Sequence, residues 1–426
     1  VKIRSIEDIE KHWKSNTHLM GVITYKEIKI KYKDAFNLIS DETFEYLYID
    51  MNCLLHKCNY NCVSVDDIIK KIIFVILEIT KNAQPTKEIY LFCDGTSPFA
   101  KLLLQRERRF TMDDSLSLNF TPGTVFLKTL PEKLENIIDI LEVHLNVKVY
   151  IDTLDAGESE IKIKNKILEN YKKNNEDKHI LITTDADVIL ILLSHISYKK
   201  CYILDHDILL SIKKLYELHK NKYNMLDDAN IDFAFLSLLM GNDYLPKINL
   251  LTFDKLWESY KINVNNNKLI NFTDKIELDL NLFINILNDI IGKIGKKYKQ
   301  KINTENDIQN YIDGLKWNID MYINGKCSDY HFIMKNNSNL IDILNLIIFL
   351  KNTDKNILNL ERNIINKPID SELCGILLIP YKSKDLIDKK YHNFLEENKY
   401  IYEKSYKINE ENLYKLIKKF KKFQMK

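Results

Sequence analysis

An α/β fold is predicted: a doubly wound, mostly parallel sheet flanked by helices, followed by a mainly helical C-terminal region. Two observations predict it. Between about residues 45 and 205, short apolar runs alternate with helical stretches, the order that builds parallel sheets from crossover units. The runs are continuously apolar, as suits strands covered on both faces.

In chain order, strands are expected at 45–50 (EYLYID), 88–93 (EIYLFC), 147–151 (VKVYI), 180–184 (ILITT) and 201–204 (CYIL). Helices are expected near 66–82, 98–110, 131–145, 158–174 and 187–195. After about residue 250 the pattern is helical and Asn/Lys-rich, without further strands, and the Asn runs at 265–267 and 336–339 read as loops. Residues 1–19 read as an N-terminal extension, 20–250 as an α/β domain and 251–426 as a helical region that completes it.

Composition narrows the function. The chain has 426 residues, with 62 Lys+Arg against 60 Asp+Glu. This balance excludes an acidic disordered tail and a uniformly basic nucleic-acid coat. Seven cysteines, an odd number in a long chain without a secretory signal, read as reduced intracellular thiols. No apolar run is long enough to span a membrane. Arg occurs only at 4, 106, 108, 109 and 362, so three of five lie within four residues of a Lys-heavy chain.

Acidic residues follow the strand candidates. Asp50 ends YID, Asp94 follows YLFC, Asp185 and Asp187 lie in TTDAD, and Asp243 lies in the turn-like GNDYLP. Asp152, Asp155, Glu158 and Glu160 follow the strand at 147–151. In a parallel sheet, sites form beyond the carboxyl ends of the strands, so these acids would converge. Such a cluster needs counter-charge. Its oxygen-rich, His-poor character suits Mg²⁺ or Mn²⁺, and two such ions could serve phosphodiester hydrolysis. A single Asp after a strand is ordinarily an N-cap or turn residue, the reading expected for Asp152 and Asp155.

Lys101, Gln105, Arg108 and Arg109 fall at i, i+4, i+7 and i+8 of KLLLQRERRF, one face of a helix. Arg binds phosphate bidentately where Lys cannot. Arg106 falls off that face and is expected to pair with neighbouring acids. His56 is either buried in YIDMNCLLH or available to a ligand; its spacing from Cys53, Cys58 and Cys62 fits no zinc pattern. The terminal LYKLIKKFKKFQMK reads as a packed helix with a solvated lysine face. RNA or membrane-surface contact is the alternative.

In order along the chain, YIDMNCLLH, FCDGTSPFAKLLLQRERRF, FTPGTVFL, DAGESEIKI, TTDADVILILL, DFAFLSLLMGNDYLP and YIDGLKW resemble the Xrn family of 5′→3′ exoribonucleases, within the flap-nuclease and PIN-like superfamily. They span about residues 45–330, and MGVITYKEIKIKY at 20–32 resembles a worn version of the family's start. The resemblance implies that Asp50, Asp94, Glu158, Glu160, Asp185, Asp187 and Asp243 are catalytic, metal-binding acids for Mg²⁺ or Mn²⁺. It also implies that Lys101, Gln105, Arg108 and Arg109 bind a 5′-monophosphate and that His56 stacks on a base. The chain departs from the family pattern at Cys53 and Ser159, both in place of Gly, and across the stretch after YIDGLKW, in which Trp317 has no assigned role. KPIDSELCGILLIPY near the end resembles the family's closing motif, and the resemblance gives the expectation of a reduced form without the family's large C-terminal accessory domains.

The expected activity is therefore 5′→3′ degradation of 5′-monophosphorylated single-stranded RNA to mononucleotides by two-metal-ion hydrolysis. One alternative is a flap-type or DNA-directed 5′ nuclease; no Gly pair follows GNDYLP to grip duplex DNA. Another is a catalytically weak RNA-binding scaffold, against which stands the survival of every acid. A monomer without membrane attachment is expected, with protein partners unassigned, in the cytoplasm rather than the nucleus.

Overall fold

The computed structural model describes residues 25–39, 42–111, 116–272, 276–300, 303–334, 340–352, 366–403, 406 and 408–425. The extension at 1–19, the segment at 20–24 and the Asn run at 336–339 lie outside the described residues.

A seven-stranded sheet organises the N-terminal half: β1 (Phe36–Leu38), β2 (Phe44–Asp50), β3 (Pro85–Phe92), β4 (Lys148–Asp152), β5 (His179–Ile182), β6 (Cys201–Asp205) and β7 (Ile208–Ser211). Their order is β1-β7-β6-β5-β2-β3-β4. β2 to β6 run parallel, whereas β7 pairs antiparallel with β6, and β1 with β7. This is the expected α/β class, with an antiparallel edge the sequence did not announce. The chain steps from β2 outward to β3 and β4, then crosses to β5 on the other side of β2. β2 is thus the switch point, where parallel sheets place their sites.

The five expected strands stand within a few residues of their expected bounds. The helix expected at 131–145 starts earlier, at Val125, because the Thr124 side chain caps it and Pro131 is accommodated inside. The two faces of the sheet carry separate cores. Leu47, Ile49, Ile89, Leu91 and Ile180 pack on one side with the Val65–Ala83 and Val125–Leu145 helices. Tyr48, Tyr90 and Leu181 belong to the other core, which continues through Trp257, Ile290 and Trp317 to Leu350. The helical region beyond residue 250 therefore shares a core with the sheet.

That region is not free of strands. Ile270–Phe272 pairs antiparallel with Ile276–Leu278, and Leu340–Ile341 pairs parallel with Lys247–Ile248. Two- and three-residue strands carry too little pattern to read from sequence. Trp317 is core: it is fully buried, stacks on Phe332, and its indole donates to Asp329 O at 3.0 Å.

A third core joins the helix Phe99–Phe110 to the end of the chain. Phe99 and Leu102 pack with Leu373, Leu377, Phe394, Leu413 and Phe420. The helix Glu410–Gln424 is thus docked by its apolar face, as its spacing predicts. Among the described residues, no helix is long and apolar enough to cross a membrane.

Candidate active site

Parallel register brings the acids to one edge. Asp50 ends β2 opposite Phe92 of β3, and Asp94 follows two residues later; Ile49 is opposite Ile182 of β5, from which Asp185 and Asp187 continue. Glu158 and Glu160 arrive at the start of the helix Ser159–Lys173. The loops beyond β3 and β4 are tied together, Gly95 N to Gly157 O at 2.8 Å and Gly157 N to Thr96 O at 2.9 Å. A Cβ on Gly95 would fall 1.8 Å from Asp155 O, and Gly157 has φ +102°. Both positions require glycine.

Hydrogen bonds knit the acids into one network. Asp50 Oδ1 accepts from Asn52 N (3.1 Å), Cys53 N (3.2 Å) and Ser159 Oγ (2.9 Å), while its Oδ2 accepts from Thr183 Oγ1 (3.2 Å). Asp94 Oδ1 accepts from Ser159 N at 2.9 Å. Its Oδ2 accepts from the Asn52 amide at 2.9 Å, and Asn52 returns the contact by accepting Asp94 N. Ser159 Oγ also lies 3.2 Å from Glu160 Oε2. Asp185 Oδ1 accepts from Asp187 N (2.9 Å), and Tyr244 donates to Glu158 Oε2. Asp50 therefore caps the helix Met51–Cys58 and still faces the cluster, whereas Asp185 makes a turn contact to Asp187 N.

Close packing of like charges has the expected electrostatic cost. Burial, then the nearby Asp94, pushes Asp50 up to about 7. Burial raises Glu160, helped by Asp50, Asp94 and Asp185, and raises Asp187, helped by Asp185 and Asp243. Asp243 moves the other way, because Lys101 and Arg108 outweigh its burial.

Lys101 is the counter-charge inside the site. Its Nζ lies 2.5 Å from Glu158 Oε1 and 3.3 Å from Asp243 Oδ2. Arg108 reaches Asp243 at 3.2 Å with its side chain half exposed. Gln105 and Arg109 are set apart from the acids: Gln105 accepts from Ser97 Oγ (3.1 Å), and Arg109 Nε donates to Thr121 Oγ1 (2.8 Å). The basic stripe thus divides, with Lys101 and Arg108 against the carboxylates and Gln105 and Arg109 along the neighbouring wall.

Arg106 does not pair with acids as expected. Its guanidinium donates to the carbonyls of Leu377 and Ile401 and lies 4.0 Å from the centre of the Phe110 ring. It faces the third core, where main-chain oxygens are the available acceptors. His56 is exposed with its ring edge on Phe120, so it is not the buried histidine. Cys58 and Cys62 interact locally, and all seven cysteines are free thiols. Asp152 accepts from Leu154 N and Asp155 N and pairs with Lys162, the expected turn role. Asn242 shapes the Asp243 turn by accepting Tyr244 N and Leu245 N.

The acids offer an all-oxygen donor set suited to a hard divalent cation. Among the described residues, no three Asp, Glu, His or Cys side chains form a ready coordination shell. Asn52, Ser159, Thr183 and Tyr244 were not legible as site residues, although each flanks a conspicuous acid.

Comparison with known proteins places these residues in context. Residues 19–118 and 113–207 match the family model described as "XRN 5'-3' exonuclease N-terminus". The chain is 26% identical over 282 residues to "5'-3' exoribonuclease 1" of Saccharomyces cerevisiae, covering 50% of this chain and 18% of that protein. It is 31% identical over 189 residues to the protein of the same name from Homo sapiens, covering 36% and 11%. The chain thus spans less than a fifth of the length of these relatives. Among solved structures, the catalytic core of Rad2 with DNA aligns at TM-score 0.38 and 13% identity, over 65% of this chain and 75% of that one. The flap endonuclease D15 of bacteriophage T5 aligns at 0.36 and 11%, over 66% and 86%.

Proposed function

We infer that the chain, whose residues 19–207 match the XRN 5′-3′ exonuclease family model, is a member of that family and carries its chemistry. It is a monomeric 5′→3′ exoribonuclease that releases mononucleotides stepwise from single-stranded RNA bearing a 5′-monophosphate. One observation carries this reading: Lys101 and Arg108, from a single basic helix, both touch Asp243 of the acid cluster. A phosphate held by that helix would lie beside the carboxylates.

Arg108, Arg109, Gln105 and Lys101 bind the terminal phosphate, the arginines through their planar forks. His56, exposed on the Phe120 edge, stacks on a base near the 5′ end. Asp50, Asp94, Glu158, Glu160, Asp185, Asp187 and Asp243 would hold the divalent cations, Mg²⁺ or Mn²⁺, two in number. Bound there, such ions would supply charge neutralisation and a more acidic water for phosphodiester hydrolysis. Asn52, Ser159 and Thr183 orient Asp50 and Asp94, and Tyr244 orients Glu158. Lys101, paired with Glu158 and Asp243 in this structure, would be free to turn to the phosphate were those acids engaged by cations. A pocket fitted to a monophosphate excludes capped and triphosphate ends. The seven free thiols support a reducing, intracellular compartment.

The test compares 5′-phosphate RNA, 5′-hydroxyl RNA and flap DNA, each with Mg²⁺ or EDTA. Mg²⁺-dependent release of mononucleotides from 5′-phosphate RNA alone is expected. Preferred cleavage of the flap would establish the DNA-directed reading instead, and RNA binding without cleavage the scaffold.

A further inference from the structure

The turn that carries Asp243 leans on one face of the helix Glu305–Asn324, a segment beyond the residues that the family model matches. Gly314, Trp317, Asn318 and Tyr322 fall at i, i+3, i+4 and i+8, a single helical face, and each meets the turn. A Cβ on Gly314 would fall 2.5 Å from Leu245 Cδ2. The Trp317 and Tyr244 rings stand edge to face with centres 5.1 Å apart. The Asn242 side-chain amide donates to Asn318 Oδ1 at 2.8 Å and, with its second proton, to the Tyr322 hydroxyl at 3.3 Å.

Donor and acceptor chemistry fixes how these two amides point. Tyr244 N and Leu245 N can only donate, and both reach Asn242 Oδ1, at 3.0 and 2.9 Å. That oxygen is then filled, and the NH₂ of Asn242 must face acceptors. Asn318 answers with its oxygen, which leaves its own Nδ2 buried and without a partner among the described residues. The residue is fully enclosed. A buried amide nitrogen without an acceptor is destabilising, and asparagine inside a helix is a weak helix former. The bond to Asn242 is the interaction that offsets both.

We propose that Asn318 is a positioning residue: through Asn242 it holds the 242–245 turn so that Asp243 faces Lys101 and Arg108 and Tyr244 reaches Glu158. Each proton of the Asn242 NH₂ serves one acceptor, so Tyr322 does not take over the bond that Asn318 makes. A leucine at position 318 fills the space without an oxygen, and the enclosure keeps water from replacing it. The consequence for RNA cleavage rests on the reading of these acids given above.

The test follows amide hydrogen exchange by mass spectrometry in the metal-free full chain. It compares the unaltered protein, Asn318→Leu, Asn318→Ala, Asn242→Ala and the pair Asn318→Leu with Asn242→Ala. Exchange of a peptide covering Tyr244 and Leu245 is expected to rise roughly tenfold in each Asn318 variant, the scale of one lost hydrogen bond. The amides of Glu305–Asn324 should keep their rates. The pair should exchange no faster at the turn than Asn242→Ala, because Asn318 acts through Asn242. Turnover of 5′-phosphate RNA with Mg²⁺ should fall roughly tenfold in Asn318→Leu, the lower end for groups that orient metal-binding side chains. An unchanged turn, exchange that rises equally along the helix, or added exchange in the pair overturns the proposal. A loosened turn with full turnover overturns its link to catalysis. Failure of the unaltered protein to degrade RNA overturns the proposed function alone, and exchange still decides what holds the turn.

Discussion

Lys101 and Glu158 face each other at 2.5 Å, joining the basic helix to the acid cluster by a largely buried ion pair. Breaking such a pair leaves the remaining charge without compensation. Lys101→Met is therefore expected to lower the melting temperature in EDTA. It should also reduce turnover of 5′-phosphate RNA by roughly 10- to 100-fold, as for loss of a charge-assisted hydrogen bond. The combination distinguishes it from an arginine contact that serves the phosphate alone.

Asp187→Asn should separate activity from stability. Burial and the nearby Asp185 and Asp243 penalise its charge. Neutralising it is expected to stabilise the metal-free protein by about 1 kcal/mol, a typical gain when an active-site conflict is relieved. Mg²⁺-dependent RNA degradation should be lost in the same variant. Thermal melts in EDTA and a product assay read the two effects; destabilisation in EDTA would contradict the repulsion described.

His56→Ala should weaken RNA binding by about 1–3 kcal/mol, the scale of one base stacked on a ring. The side chain is exposed, so the melting temperature should stay within a degree or two. Binding of single-stranded RNA to protein in EDTA measures the contact apart from cleavage.

Lys164 gives a pH signature away from the acids. Its ammonium is fully buried against the carbonyls of Ile191 (2.7 Å) and Leu192 (3.4 Å), and burial lowers its pKa from 10.5 to about 7. The unfolded chain then binds more protons than the folded one between those values, so this group's contribution to stability rises as pH climbs from about 7 to 10.5. Below about 7 the full cost of charging it is present. Lys164→Met should flatten that rise, seen as a smaller gain in denaturation midpoint from pH 7 to pH 10; an unaltered slope would exclude Lys164 as its source.

How much was legible follows from how much pattern each part carried. β2, β3 and β5 announced themselves because both faces are covered and their apolar runs are continuous. β1 and β7 form the antiparallel edge, and β1 is three residues with two exposed, so no run marked it. The acids were legible because strand ends are where parallel sheets place chemistry. Asn52, Ser159, Thr183 and Tyr244 act through those acids, and such roles have no spacing of their own. The partners of Arg106 are main-chain carbonyls, which every residue possesses.

Those partners lie 271 and 295 residues further along the chain. A growing polypeptide emerging from the ribosome can lay down β2 to β6 early, since all of them precede residue 206. The helix bearing Lys101, Arg108 and Arg109, however, gains its Arg106 anchors only after Leu377 and Ile401 have been synthesised. A nascent chain can thus order the strand ends that carry the acids well before the helix bearing Lys101, Arg108 and Arg109 is seated. Contacts of such long sequence separation close late in folding. Seating of the basic helix beside the acids is in this way deferred until Ile401 has been added to the chain.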